Sequence, residues 1–198
     1  GSASQPACSA GTYQPASGQS SCIDASAGYY VPTTAATSQT ACSAGTYQPD
    51  EGQTSCLDAD AGYYVDATAA TSQTACDLGT YQNQTAQTSC VDAPAGHYVN
   101  TTAAIDPTPC PLGTYQPATG QTGCLTASPG YYVDTSGSAD QTPCPAGTYN
   151  PQSGSTSQAA CIQADIGHYV PNEGSTHQTE CLAGSYQNVT GQSSCLPA

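Results

Sequence analysis

Residues 8 to 42 read CSAGTYQPASGQSSCIDASAGYYVPTTAATSQTAC, and the fold turns on what this stretch does twice. Its first half carries Cys8 and Cys22, 14 residues apart, around Gly11 and Tyr13. Its second half keeps the Gly and the Tyr at the same spacing, as Gly28 and Tyr30, and has no cysteine. CSAGTYQP recurs at 42, then as CDLGTYQN at 76, CPLGTYQP at 110, CPAGTYNP at 144 and CLAGSYQN at 181. The period is 34, divided into two units of 17.

Units begin at Cys8, Ala25, Cys42, Ala59, Cys76, Ala93, Cys110, Ala127, Cys144, Ala164 and Cys181. Counting each first residue as position 0, all eleven have Gly at position 3 and Tyr at position 5. Position 7 always holds Pro, Asp or Asn, which form turns, and position 10 is always Gly or Ala. Each unit therefore reads as a Gly bend, a short strand around the Tyr, a turn and a return segment, a hairpin of 17 residues. The density of Gly, Pro, Ser and Thr excludes helix.

Cysteine units carry Cys at positions 0 and 14; alternate units hold Ala and Gln there, or Ala93 and Pro107. Both cysteines are absent together, as a bond within the unit requires, since losing one would strand a thiol. The expected bridges are Cys8–Cys22, Cys42–Cys56, Cys76–Cys90, Cys110–Cys124, Cys144–Cys161 and Cys181–Cys195. Three extra residues between Cys144 and Cys161 make a longer loop in one bridge. The unbridged units carry Tyr-Tyr-Val or His-Tyr-Val, as at Tyr29-Tyr30-Val31 and His97-Tyr98-Val99, where bridged ones carry Thr-Tyr-Gln or a close variant. Burying the extra aromatic and the Val contributes roughly 3 to 5 kcal/mol. A bridge around such a loop is worth about 3 kcal/mol. Two devices of similar size answer one stability problem.

Composition explains why cross-links are needed. The 198 residues include no Phe, Trp or Met and only 17 Leu, Ile and Val, whereas Ala, Tyr and Cys number 30, 14 and 12. Such a chain reads as disordered on apolar content alone. Its cysteines reverse that reading and place it in an oxidising, extracellular compartment or at a cell surface. There is no Lys or Arg against 14 Asp and Glu, so the net charge is −14. Such a chain neutralises no phosphates, which excludes nucleic acid as a partner. Nor does any apolar run reach the length of a membrane span.

The pattern C-x-x-G-T-Y-x-x-x-x-G-x-x-x-C resembles the ephrin-receptor-like cysteine-rich repeat of large extracellular proteins. The resemblance runs through essentially the whole chain. It implies an extended series of tiny disulfide-bonded β units and no catalytic residues. That family also carries cysteines at the places of Ala25 and Gln39, so systematic loss of alternate bridges is the departure here.

Candidate sites are few. Three sequons, at Asn83, Asn100 and Asn188, all fall at position 7, the expected exposed turn, which predicts N-glycans there. The abundant Ser and Thr leave room for O-glycans. The Tyr ladder reads as packing rather than as a carbohydrate platform. Asp24, Asp58 and Asp92 recur every 34 residues, but Thr126 and Gln163 break the series and no Asp-x-Asp-x-Asp-Gly loop exists for Ca²⁺. His97 and His168 stand in for the extra Tyr; no C-x₂-C pair suggests zinc. No phosphate loop or Ser–His–acid grouping stands out, so no catalytic residue, metal or cofactor is expected.

The expected architecture is an all-β array of small disulfide-rich hairpins forming an elongated rod, with a β-solenoid as the alternative. Hairpins laid end to end would rise by up to about 28 Å each, and a side-by-side stack would be far shorter. Residues 1–7 match the tail of a preceding repeat. Repeats follow at 8–41, 42–75, 76–109, 110–143 and 144–180, the last with the insertion, and 181–198 is a partial sixth. Entry and exit in mid-repeat suggest an excerpt of a longer array or copies that join. The functional expectation is a self-associating structural protein of a glycosylated extracellular fibre, flagellar hair or surface appendage. The alternative is the stalk or ligand-binding ectodomain of a receptor or adhesin.

Overall fold

The structure, a computed structural model, describes residues 7–198. The tail assigned to residues 1–7 therefore lies, but for Ala7, outside the described residues. Eleven two-stranded antiparallel sheets follow one another, each made by consecutive strands of two residues. In the first, Thr12–Tyr13 pairs with Ile23–Asp24, with Thr12 opposite Asp24 and Tyr13 opposite Ile23. In the second, Tyr29–Tyr30 pairs with Thr40–Ala41, with Tyr30 opposite Thr40. These registers alternate as far as Ser185–Tyr186 against Leu196–Pro197. The short helix is a single 3₁₀ turn, Gln158–Ala160, and it lies in the inserted loop.

The hairpins group into two compact units, one running to Val91 and including Thr101–Asp106, the other formed by Asp92–Asn100 and Pro107–Ala198. Within each, consecutive hairpins lie side by side, tied by four backbone hydrogen bonds at fixed positions. Between the hairpins starting at Cys42 and Ala59, Ala69 N donates to Cys42 O (2.8 Å), Gly45 N to Val65 O (2.7 Å), Ala59 N to Gly45 O (2.9 Å) and Gln48 N to Ala70 O (3.0 Å). The second unit repeats this between the hairpins starting at Cys110 and Ala127, through Gly137, Gly113, Ala127 and Gln116. The end-to-end arrangement is therefore not adopted within either unit. A solenoid would stack strands into continuous sheets, yet every sheet among the described residues has two strands.

The position-3 Gly explains how the hairpins come so close. Gly62 has φ +86°, and a Cβ there would fall on the carbonyl oxygen of Ala103, two hairpins further on. Only a residue without a side chain permits that approach. Position 10 also takes positive φ, and there the chain is less strict: Ala35, Ala69, Ala86 and Ala103 sit at φ 58°, 55°, 59° and 55°.

The core is a thin column rather than a cluster. Position 0 is buried in hairpin after hairpin, as Ala25, Cys42, Ala59, Cys76, Ala93 and Cys110. Position 6 is buried beside it, alternating Val with Gln, as Val31, Gln48, Val65 and Gln82. The Val of the unbridged hairpins is thus fully interior, whereas the extra aromatic at position 4, Tyr29 or His97, is only half-buried.

Candidate functional site

The chemistry of this chain lies in its bridges, the groups that replace them and the surface they leave. The structure joins Cys8 to Cys22, Cys42 to Cys56, Cys76 to Cys90, Cys110 to Cys124, Cys144 to Cys161 and Cys181 to Cys195. Their Cα–Cα distances run from 5.6 to 5.9 Å, including the pair around the insertion. No free cysteine remains among the described residues.

Every bridged hairpin but the first adds a buried amide; Gln14, in the first, is only half-buried. Gln48 Nε2 donates to Ser55 O (2.8 Å), and Asp50 N donates to Gln48 Oε1 (3.1 Å), so one side chain pins both arms of the loop that the bridge closes. Gln82, Gln116 and Gln187 repeat both bonds. In the lengthened loop the shorter Asn150 takes this place and reaches the Ser155 hydroxyl (2.8 Å) and Tyr131 O (3.0 Å). A buried amide is tolerable only when both ends are paired, and none of the buried side-chain polar atoms among the described residues lacks a partner.

In the unbridged hairpins the residue at the second cysteine's place forms a non-covalent staple. Gln39 Oε1 accepts from Ser26 N at 2.7 Å, Gln73 from Asp60 N, Gln141 from Ser128 N and Gln178 from Asp165 N, all at the same distance. Gln73 and Gln178 also donate from Nε2 to the carboxylates of Asp60 and Asp165. The remaining unbridged hairpin has Pro107 there, opposite Pro94, which has no N–H to offer. In the sequence these glutamines mark only the place where cysteine is missing. Their regular recurrence, paired with a non-proline residue 13 earlier, was the available signal.

The sequon asparagines, Asn83, Asn100 and Asn188, are exposed, as are the Thr residues that complete them: Thr85, Thr102 and Thr190. Asp24, Asp58 and Asp92 are exposed too. The structure keeps each on its own hairpin, and no group of three His, Cys, Asp or Glu gathers among the described residues. His97 and His168 face their own turns, each donating from Nδ1 to a carbonyl two residues back, at 3.3 Å. Shallow recesses of about 340 to 450 Å³ recur where an unbridged hairpin's Tyr meets the next bridge: Tyr30 with Cys56, Tyr64 with Cys90, Tyr169 with Cys195. No helix of the described residues is long and apolar enough to cross a membrane.

The family model described as tyrosine-protein kinase ephrin type A/B receptor-like matches residues 6–42 and 28–76. No curated protein matches the chain. The matched segments overlap over residues 28–42 and together cover Gly, Tyr and bridge positions that recur to the last hairpin. Six bridges and a receptor-type cysteine-rich repeat point to an extracellular location. Residues 6–76 are thus similar to the ephrin-receptor-like cysteine-rich repeat.

Proposed function

We propose that the chain is a structural protein of an extracellular glycosylated fibre, flagellar hair or cell-surface appendage, self-associating or set within a longer array. The observation that carries this reading is the uniformity of the junctions: within each compact unit the same four backbone positions bind one hairpin to the next. Ligand-binding arrays break such symmetry, because a ligand selects particular repeats. N-glycans at Asn83, Asn100 and Asn188 belong to the same reading, since each is exposed where the chain enters a bend.

The receptor-like description of the family favours a second reading, the stalk or ligand-binding ectodomain of a receptor or adhesin. Its natural recognition element is the inserted loop with the turn at Gln158–Ala160, the one clear break in the repeat. Electron microscopy of native, unreduced protein separates the two. Filaments are the expected result; single particles at every concentration, with a ligand held by the inserted loop, reverse the order of the readings. Treatment with peptide N-glycosidase checks the glycans independently: a mass loss confined to the three sequon peptides is expected, and unchanged peptides remove the glycoprotein part.

A further inference from the structure

The placement of the large aliphatic residues is not explained by the fold. The five that are buried are the Val residues at position 6: Val31, Val65, Val99, Val133 and Val170. The other twelve Leu, Ile and Val are all at least 44% exposed. Six of these directly follow the second cysteine of a bridged hairpin, among them Ile23, Leu57, Leu125 and Ile162, and their exposure stays between 44% and 49%. Directly across the hairpin from them stands the Tyr of position 5: Tyr13 opposite Ile23, Tyr47 opposite Leu57, Tyr115 opposite Leu125 and Tyr149 opposite Ile162. Residues directly opposite in an antiparallel pair share a face. In the unbridged hairpins the same place holds Thr, as Thr40 opposite Tyr30 and Thr74 opposite Tyr64. Since those hairpins fold to the same register, the aliphatic residue is not needed to form one.

We infer that the Tyr–aliphatic faces of the bridged hairpins are the surface on which a second copy of this chain packs. Two arguments carry this: one selects the face, the other the partner. The first is charge. With 14 carboxylates and no Lys or Arg, two copies repel and have no ion pair to offer each other, so they meet best where carboxylates are absent. The strand alternation supplies such a face: Asp24 and Asp58 follow Ile23 and Leu57 and point to the other side. The second is spacing. Within each compact unit the pairs return at one register in every second hairpin, and a partner that covers several at once must carry the same repeat. Another copy does, through the same patch on both molecules. Aromatic and aliphatic enrichment with depletion of charge is the composition of the core of such interfaces.

This inference rests on the self-association in the preceding reading, and one experiment separates their fates. Sedimentation of the intact, oxidised chain is measured against concentration at low and high salt, beside the variant I23T/L57T/V91T/L125T/I162T/L196T. Threonine is what the fold already places at that register, and L125T/I162T alone serves if the six-site variant does not fold. The native chain is expected to associate, more tightly at high salt as the repulsion is screened, and the variant to associate at least about tenfold more weakly. The control I105T/I166T, exposed residues outside the face, is expected to associate like the native chain. Association undiminished in the variant overturns the proposed face and leaves the fibre reading standing. A native chain that remains monomeric throughout overturns both.

Discussion

At the residue scale the informative position is the tenth. It takes positive φ in every described hairpin, yet four in the first compact unit hold Ala there, while the second unit uses Gly throughout. The left-handed conformation costs a residue with a Cβ about 1 to 2 kcal/mol, part of which glycine gives back through its freer unfolded chain. Ala69→Gly is therefore expected to stabilise by about 0.5 to 1 kcal/mol, raising Tm in a calorimetric scan by about 2 °C. Gly62→Ala is the opposite case, because its Cβ would meet the backbone of Ala103, which cannot swing aside. A loss of at least about 2 kcal/mol is expected, read in the same scan. The sequence displayed both positions as conserved in type across its own repeats. Why one tolerates Ala and the other does not depends on a carbonyl two hairpins away, which no local pattern contains.

At the element scale there are two hairpin designs on one backbone. The bridged one joins a disulfide to a buried Gln that pins its loop; the unbridged one joins a buried Val to a Gln staple. Gln73→Ala removes the bonds to Asp60 N and to the Asp60 carboxylate, both 2.7 Å and both exposed. A cost of about 0.5 to 1.5 kcal/mol is expected from chemical denaturation. Because Ala59 and Gln73 occupy the places of a bridged pair, Ala59→Cys with Gln73→Cys is expected to close a seventh bridge and gain about 3 kcal/mol. Mass spectrometry for the lost thiols and the denaturation midpoint check it; two persistent free thiols would refute the equivalence of the designs. Reading the sequence located both designs by their alternation. The alternation weights the Tyr29-type aromatic and the Val equally, whereas the Val is interior and the aromatic half-exposed. The two-residue strand Tyr29–Tyr30 ends before Val31, so burial of the Val follows the neighbouring hairpins rather than strand parity with Tyr29.

At the scale of the whole molecule, stability rests on covalent and backbone bonds rather than on apolar burial. Six bridges at about 3 kcal/mol each exceed the roughly 5 to 15 kcal/mol that a domain of ordinary stability holds. Full reduction is therefore expected to unfold the chain at room temperature, seen as collapse of its circular-dichroism spectrum and rapid proteolysis by an enzyme that needs no basic residue. Periodicity and cysteine spacing by themselves determined the hairpin, its length and its all-β class, because each depends on residues within one 17-residue unit. Tertiary structure alone decided how hairpins meet: side by side, through four backbone bonds, with a glycine against a carbonyl two hairpins on and glutamines where cysteines are missing. The physical reason is that backbone groups are the same in every residue. A sequence records which side chains recur, but which N–H finds which carbonyl across two hairpins is settled only when the chain has folded around it.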